Sequence, residues 1–352
     1  MTLLDTLIEI VDIPSVTGEE DALCTWIVER FSATKPVERI GNSVVVGTHR
    51  EGKPFHALYG HLDTVPVQGD PKATIIGDRI RGLGVGDMKA GVAVMIELLD
   101  DPEVAGVGDG LVCVFYDKEE GPAAENGLEE VLDRCPWLLD ATLSIVMEPT
   151  DLNLEIGCNG VLNADVIFTG SSAHSARPWL GENAVTKAGG WLAKLHDLEP
   201  QTVDIDGLAY REVFSVTQAH GGIANNIIPP TFVVNLNHRF PPIYTIEDAE
   251  ARLRDVASDA DEVVIKDRAP AGLIAESNPE VERLDALIGR ERVAKQGWTD
   301  VARLTSRGAV AVNYGPGEVA QAHQVDESMP IENLEIAYNV MRRFLTDQNL
   351  TE

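Results

Sequence analysis

Cysteine is scarce in this sequence, and its few copies are widely spaced. The 352 residues include only Cys24, Cys113, Cys135 and Cys158, and no two of them have CxxC spacing. Their positions fit neither a zinc finger nor a small disulfide framework. We therefore expect four reduced thiols and no structural disulfide, as is usual for a cytoplasmic protein.

Basic residues are also few. Lys and Arg number 28 against 57 Asp and Glu, which gives a formal net charge of −29. Nucleic-acid binding and attachment to anionic membranes both rely on clustered Lys and Arg, so this composition predicts neither partner. A small anionic substrate is still compatible with it if local positive charge reverses the field.

Long apolar runs are missing as well. None approaches the roughly 20 residues that a membrane-spanning helix needs. The N-terminal segment carries Asp5 and Glu9, where a signal peptide would be basic and then apolar. We therefore expect no membrane segment and a cytoplasmic location.

Short apolar runs that end in polar clusters alternate with helical patterns along most of the chain. This alternation is typical of an α/β fold with a mostly parallel sheet and helices on both faces. In such sheets ligands bind beyond the carboxyl ends of the strands. The apolar runs lie at 56–60, 111–116, 143–147 and 309–314, and amphipathic helices are expected at 2–11 and 19–31.

The segment 161–271 has a different pattern, with alternating strands and two helices in the order β-α-β-β-α-β. That order is the ferredoxin-like arrangement of an α+β domain. Its helices are expected at 182–198 and 245–258, the second with Thr245 as its N-cap. The sequence therefore predicts a discontinuous first domain, 1–160 and 272–352, with the ferredoxin-like domain inserted into it.

Imidazole and carboxylate side chains follow the apolar runs, and a parallel sheet would bring them to one rim. Gaps of 26, 33 and 28 residues separate four of them in turn, which are His61, Asp87, Glu120 and Glu148. These gaps are close to the roughly 30 residues of a βαβ unit. Together with His323, the set exceeds the three protein ligands of a usual catalytic zinc. It suits two divalent ions about 3.5–4 Å apart.

Each of these side chains also has a simpler explanation. Asp87 could be the N-cap of the helix that follows it, Glu148 could end a strand, and the acidic pair 119–120 could be turn charges. Under the metal interpretation one carboxylate is left over as a general base. Asp63 could then accept the second imidazole N–H of His61 and orient the ring.

The motifs around these positions resemble those of the M20 family of dinuclear metallopeptidases and N-deacylases, over essentially the whole chain. They fall in the family's order: GHLDTVP at 60–66, GVGDMKAG at 84–91, DKEEG at 117–121, MEPT at 147–150 and AHQVDE at 322–327. The turn RGLGVGD departs from the family, which often has Ser or Arg there, but it keeps Asp87 in place. Within the family the chain is most similar to actinobacterial succinyl-diaminopimelate desuccinylases, on the stretches GCNGV, GSSAHSARPWLGENA, GGIANNIIP and AVNYGPGEVAQAHQVDE.

This resemblance implies a ligand set and a catalytic base. The cofactor would be two divalent metal ions, zinc in the first place, with cobalt or manganese as substitutes. Glu119 would act as general base and acid. Both ions would share Asp87 and each would have two further ligands, His61 and Glu148 at one site and Glu120 and His323 at the other.

The resemblance also assigns roles outside the metal cluster. His174 matches a histidine of the inserted domain that reaches a partner subunit's active site and supports the oxyanion. The positions associated with substrate carboxylates are Arg239, Asn225, Asn226, Gly315 and Gly317. Each of these residues also has a simpler explanation. His174 could be a solvent-facing loop residue, and Arg239 could be an exposed charge on a strand. The two asparagines could belong to a turn before Pro229.

The expected activity is hydrolysis of the succinyl amide of N-succinyl-LL-2,6-diaminopimelate by a homodimer joined through the inserted domain. The partners would be a small anionic N-acyl amino acid and a second copy of the chain, with no nucleic acid and no membrane. The alternatives are an acetylornithine-type deacetylase or a carboxypeptidase on the same site. A third hypothesis is a metal-binding scaffold without turnover, and the spare Glu119 argues against it.

Overall fold

The computed structural model describes residues 2–47, 49, 52–106, 110–275 and 278–347, and the chain forms two compact units. The first unit comprises Met1–Gly157, Leu273–Val293 and Thr299–Glu352, and the second comprises Cys158–Gly272 and Ala294–Trp298. We call the second unit the lid. The segment Ala294–Trp298 clusters with the lid, although the sequence assigns it to the first domain.

The described residues include sixteen strands and eleven α-helices. The strands are β1 Val37–Ile40, β2 Ser43–Val46, β3 Phe55–His61, β4 Thr74–Ile76, β5 Arg79–Arg81, β6 Gly110–Tyr116, β7 Leu143–Val146, β8 Leu154–Ile156, β9 Gly160–Thr169, β10 Gln201–Ile205, β11 Leu208–Gly221, β12 Thr231–Phe240, β13 Glu262–Ala269, β14 Arg292–Ala294, β15 Ala311–Asn313 and β16 Ser328–Pro330. The helices are α1 Leu3–Asp12, α2 Asp21–Phe31, α3 Ala90–Asp100, α4 Pro102–Gly106, α5 Leu128–Arg134, α6 Ala184–Lys187, α7 Gly189–His196, α8 Ile246–Val256, α9 Pro279–Ile288, α10 Val301–Ser306 and α11 Ile331–Thr346.

An eight-stranded sheet forms the centre of the first unit, in the order β1-β2-β6-β3-β7-β15-β8-β14. Its middle is parallel, because β3 pairs in parallel with β6 and β7, and β7 pairs in parallel with β15. Every residue of β3 is buried, which is why its sequence is mostly apolar and does not alternate. The predicted α/β class is confirmed, and the carboxyl ends of β6, β3 and β7 lie side by side.

A small antiparallel sheet, in the order β16-β5-β4, belongs to the same unit. It was not expected, because its strands have only three residues each. The four cysteines are free, and all four are buried. No helix in the described part of the chain is long and apolar enough to cross a membrane.

The lid is built on one antiparallel sheet in the order β10-β11-β12-β9-β13. Its last four members, with α6–α7 and α8, form the predicted β-α-β-β-α-β arrangement. The predicted cap of α8 is confirmed, since the Thr245 hydroxyl accepts the N–H of Asp248 and the Asp248 carboxylate accepts the N–H of Thr245. The helix expected at 182–198 is broken at Ala188 into α6 and α7.

Candidate active site

Asp87 lies between two imidazoles in the first unit. Its Oδ1 is 3.2 Å from Nε2 of His61, and its Oδ2 is 3.6 Å from Nε2 of His323. One carboxylate therefore presents an oxygen to each of two histidines. This is the arrangement expected of a ligand that bridges two cations.

Two further carboxylates complete the two sides of this arrangement. Glu148 Oε1 is 3.9 Å from Nε2 of His61, and Glu120 Oε1 is 3.0 Å from Nε2 of His323. Two tetrahedral ligands of one zinc ion, each about 2.0–2.2 Å from the metal, lie roughly 3.3–3.6 Å from each other. The donor separations of 3.0–3.9 Å bracket that range. One donor atom each from His61, Asp87 and Glu120 also lie within 4.8 Å of one another, so this donor set can hold a divalent ion.

Three of these ligand candidates follow strands of the large sheet. His61 is the last residue of β3, while Glu120 and Glu148 come shortly after β6 and β7. The expectation that all of them lie at strand ends of one sheet is wrong for Asp87 and His323. These two lie in the loops next to β5 and β16, and the antiparallel pairing of those strands brings the two loops together.

The simpler explanation of Asp87 does not hold either. Helix α3 begins at Ala90, and its N-cap is Lys89, which makes no side-chain capping bond. The backbone at Asp87 is not helical (φ −120°, ψ 95°). Asp87 is therefore outside the helix, and its carboxylate faces the two imidazoles.

Asp63 does not orient His61 in the way the sequence suggests. The Nδ1 of His61 is 3.0 Å from the backbone oxygen of Asp63 and 3.6 Å from its carboxylate, so the carbonyl is the hydrogen-bond acceptor. The Asp63 carboxylate instead accepts the backbone N–H groups of Glu119 (2.9 Å) and Glu120 (3.0 Å) and the Thr17 hydroxyl (2.9 Å). It is completely buried, and it holds the backbone of the acidic pair.

The excess of carboxylates shapes the protonation of the cluster. Burial alone would lower the pKa of His61, but the nearby carboxylates of Asp63 and Asp87 outweigh it and hold that pKa well above its usual value. The hydrogen bond that His323 donates to the Glu120 carboxylate raises the pKa of His323 to about 9. Desolvation raises the pKa of Glu119 well above that of an ordinary glutamate, with the charge of Glu148 adding to it. The site therefore attracts positive charge, which a cation would also supply.

Two functional candidates were missed at the sequence level. The buried carboxylate of Glu327 accepts the backbone N–H groups of Gly84, Gly86 and Asp87. The buried ammonium of Lys89 donates to the carbonyls of Ile10 and Ile13 at the end of α1. Both belong to quoted motifs, but a motif does not show which backbone groups a side chain will meet.

The two glycines predicted to bind substrate lie where backbones approach closely. A Cβ on Gly315 would be 2.4 Å from the carbonyl oxygens of Met147 and Glu148, and a Cβ on Gly317 would be 2.3 Å from that of Gly86. Steric contact with the ligand-bearing segments therefore accounts for both glycines. Their contact with substrate stays a prediction.

His174 and the two asparagines lie together in the lid. Residues 174 and 227 form an isolated antiparallel bridge, and the N–H of Ser175 donates to the carbonyl of Asn226 at 2.9 Å. The Nδ1 of His174 accepts the N–H of Ala176 at 3.1 Å. That nitrogen must therefore be unprotonated in the neutral ring, so the proton is on Nε2, where it is available for donation.

Arg239 is a half-buried residue of β12 in the lid. Its Nε donates to the Asn237 side chain at 3.2 Å, and burial lowers the pKa of its guanidinium. Within the ranges that the structure describes, no acidic side chain forms an ion pair with it. A desolvated guanidinium of this kind is a suitable partner for a carboxylate.

Comparison with known proteins identifies relatives over nearly the whole chain. The family model described as peptidase family M20/M25/M40 matches residues 57–347. The Mycobacterium tuberculosis protein assigned as succinyl-diaminopimelate desuccinylase DapE is 38% identical over 340 residues, with 96% of each chain covered. The succinyl-diaminopimelate desuccinylase of Corynebacterium glutamicum is 32% identical, with 96% of this chain and 94% of that protein covered.

Solved structures show the same fold. Aminopeptidase PepT from Bacillus cereus superposes with a TM-score of 0.78 at 19% identity and covers 98% of this chain and 97% of its own. The Bacillus subtilis protein YXEP, described as a dinuclear metal-binding peptidase, superposes with a TM-score of 0.69 at 14% identity, covering 98% and 97%. At these identities the structural likeness concerns the fold alone.

Proposed function

This chain belongs to peptidase family M20/M25/M40, and we propose that it hydrolyses the succinyl amide of N-succinyl-LL-2,6-diaminopimelate with two bound divalent metal ions. The observation that carries this proposal is the Asp87 carboxylate, which presents one oxygen to His61 and the other to His323. A ligand set of this kind with a spare glutamate beside it suits amide hydrolysis. The substrate is inferred from the two desuccinylases of the same family at 38% and 32% identity.

Glu119 is the proposed general base. It is next to the ligand candidate Glu120, and its backbone is held by Asp63, which leaves its side chain free for proton transfer. Two divalent ions, when bound, supply an acidified water and a polarised carbonyl. Glu119 would take the proton of the attacking water and deliver it to the leaving nitrogen.

Charge balance allows an anionic substrate despite the net charge of −29. Three ligand carboxylates, Asp87, Glu120 and Glu148, leave one surplus positive charge on two divalent ions before Glu119 is counted. Screening over about 8–10 Å at cellular salt makes this local balance more important than the distant surface. Arg239, which lacks an acidic partner among the described side chains, would bind a carboxylate of the substrate.

A homodimer is the second part of the proposal. In the described lid, β10 pairs only with Leu208–Glu212, so the rest of β11 has an outer edge without a strand beside it. Residues 215–221 of that strand are exposed. Open strand edges present unpaired N–H and C=O groups to another chain, and a two-fold pairing of two lids would satisfy them.

A substrate panel tests the assignment. The zinc-loaded protein is assayed on N-succinyl-LL-2,6-diaminopimelate, N-acetylornithine, other N-acyl amino acids and peptides that a carboxypeptidase would cleave. We expect kcat/KM for the succinyl substrate to exceed that for N-acetylornithine by about 10⁴-fold, as in sites whose polar groups are left unpaired by the wrong ligand. Comparable values would overturn the substrate assignment, and a preference for peptides would favour the carboxypeptidase alternative, the activity named for fungal relatives at 30% identity.

Arg239→Gln sharpens this test. It should raise KM for the succinyl substrate and leave the metal content unchanged. The matched control is Arg254→Gln, which removes an exposed guanidinium of α8 that pairs with Glu250. An unchanged KM in Arg239→Gln would show that Arg239 does not bind the substrate.

A further inference from the structure

Glu327 is a buried carboxylate that accepts three backbone N–H groups from a single turn. Its Oε2 is 2.8 Å from the nitrogen of Gly84, and its Oε1 is 2.6 Å from that of Gly86 and 2.9 Å from that of Asp87. Only 3% of the residue is exposed. The turn leads into α3 and carries the carboxylate that faces both imidazoles.

We propose that Glu327 is a positioning residue for the metal centre, which sets metal affinity by holding the backbone of Asp87. The inference rests on the proposed function only in requiring that the chain binds divalent ions. It does not depend on the identity of the substrate. The Glu327 carboxylate accepts backbone N–H groups of this turn, so it would act on the metal centre through the backbone of Asp87.

The turn needs an acceptor from outside itself. Backbone N–H groups ahead of a helix have no partner within that helix, and a buried N–H without an acceptor is costly. Charge-assisted bonds to a carboxylate are the strong form of such contacts. A Cβ on Gly86 would be 3.3 Å from the Glu327 carboxylate oxygen Oε1, so a residue without a side chain lets the carboxylate approach.

Glu327 also couples Asp87 to His323. Both His323 and Glu327 belong to one short segment, in which the N–H of Glu327 donates to the carbonyl of Gln324. The imidazole of His323 is 53% exposed, so its surroundings alone do not hold it in place. The carbonyl of Glu327 accepts the N–H of Gly82 at 3.2 Å, and the following strand pairs with β5. Glu327 therefore holds the two ligand-bearing loops against each other.

Glutamine is a sharp probe of this arrangement. All three partners of Glu327 are donors, whereas an amide has one acceptor oxygen and one NH₂ group that also donates. The Glu327→Gln side chain has nearly the same shape as glutamate. Its NH₂ group would face either the N–H of Gly84 or the N–H groups of Gly86 and Asp87, so that two donors would point at each other. The turn should then shift or open.

The control is Asp101→Asn at the opposite end of α3. The Asp101 carboxylate is likewise buried and accepts three donors: the N–H of Glu103 (2.8 Å), the hydroxyl of Tyr338 (2.7 Å) and Nε of Arg342 (2.6 Å). Each variant therefore weakens three hydrogen bonds to a buried carboxylate, one next to the start of α3 and the other next to its end. Only one of the two carboxylates is near the metal centre.

The experiment measures zinc binding by the full-length chain after chelation. Calorimetric titration gives the affinity and stoichiometry, thermal unfolding gives the stability of the metal-free proteins, and hydrogen exchange reports on the amides of 84–87. We expect Glu327→Gln to bind at least one zinc ion about 10–100-fold more weakly than the wild type, the usual range for groups that orient metal ligands. Excess zinc should restore part of the activity. Asp101→Asn should lose stability but keep its zinc affinity.

Each alternative outcome is decisive. Wild-type zinc affinity in Glu327→Gln, or an equal loss of affinity in Asp101→Asn, would overturn the positioning role and leave a structural one. If Glu327→Gln does not fold, Glu327→Asp keeps the charge but shortens the reach, and unchanged affinity in that variant would also overturn the proposal. A wild-type chain that binds no divalent ion would instead contradict the proposed function itself.

Discussion

The carboxylate of Asp63 holds Glu119 by its backbone rather than by its side chain. Oδ1 of Asp63 accepts the N–H of Glu119 at 2.9 Å, and Oδ2 accepts that of Glu120 at 3.0 Å. Both N–H groups belong to the turn that follows β6. The residue before them, Lys118, has a left-handed backbone with a φ of +59°. One buried side chain thus fixes the turn from which the proposed base and a proposed metal ligand extend.

Asp63→Asn should therefore impair catalysis more than folding. The amide keeps one acceptor but turns an NH₂ group toward one of the two N–H donors. We expect kcat to fall by about 10–100-fold, measured together with the metal content and the midpoint of thermal unfolding. Thr17→Val is the control, because it removes the third donor to Asp63 and leaves both backbone bonds in place. Equal losses of kcat in the two variants would contradict this role.

The acidic pair allows a second test, because its members have different proposed roles. Glu119→Gln should retain both metal ions and lose turnover by at least about 10²–10⁴-fold. Glu120→Gln should lose metal from the His323 side as well as activity. Metal analysis and kcat on the same preparations separate the two outcomes. Fewer than two ions in Glu119→Gln, or near wild-type turnover, would mean that the base has been misassigned.

The pattern of the chain predicted the sheet but not the contacts that hold its loops. The apolar runs that became β3, β6 and β7 are parallel strands buried along nearly their whole length. A short continuous apolar run that ends in polar residues is the signal typical of such strands. The Asp63 and Glu327 carboxylates bind the backbone N–H groups that a nearby turn exposes. The spacing of motifs along the sequence does not show which N–H groups these are. The small sheet was missed because its strands are three residues long.

The missed strand β10 had a local signal. Asp206 and Gly207 have φ values of +54° and +86°, which are typical of the tight type I′ hairpin turn favoured by Asp-Gly. The sequence QTVDIDGLAYR alternates on both sides of that dipeptide, so the hairpin was predictable. By contrast, the break between α6 and α7 occurs just before Gly189 and Gly190, and glycines of this kind are often tolerated within helices.

Chelation should abolish activity and leave the fold in place. The ligand candidates lie at the ends of strands and in loops, while the core of the first unit includes Tyr59, Val114, Leu132 and Val146. A chain of this length does not need metal to form its core. Far-UV circular dichroism should be nearly unchanged after chelation, and added zinc should restore activity. Loss of the far-UV signal would show that the metals are structural.

Acid should weaken the first unit through Glu280. Its carboxylate is 3.0 Å from Nε2 of His56 and also accepts a hydrogen bond from Arg283. These contacts, the hydrogen bond from His56 first, lower the pKa of Glu280 from an ordinary 4.5 to about 2. Because the unfolded chain takes up the proton first, this stabilisation is present above about pH 4.5 and is lost as the pH falls toward 2. It is on the order of 3 kcal/mol.

Urea unfolding at several pH values checks this expectation. The stability difference between the wild type and Glu280→Gln should be largest near neutral pH and should shrink below about pH 4.5. Glu282→Gln is the control, since that exposed side chain pairs with Arg292 at the surface, where such pairs contribute about 0–1 kcal/mol. A difference that grows on acidification would contradict the assignment.

His174 should act on the active site of the other subunit of a dimer. It lies in the lid, in a loop after β9, with its Nδ1 occupied by the N–H of Ala176. Its Nε2 proton is thus available for a developing oxyanion, a contribution worth roughly 3–4 kcal/mol in other hydrolases. His174→Ala should therefore depress kcat strongly with unchanged metal content. Mixing His174→Ala with Glu119→Gln subunits should restore activity, because a mixed dimer contains one site in which both groups are intact. If subunit exchange is verified and the mixture stays as inactive as its parents, His174 does not act in trans.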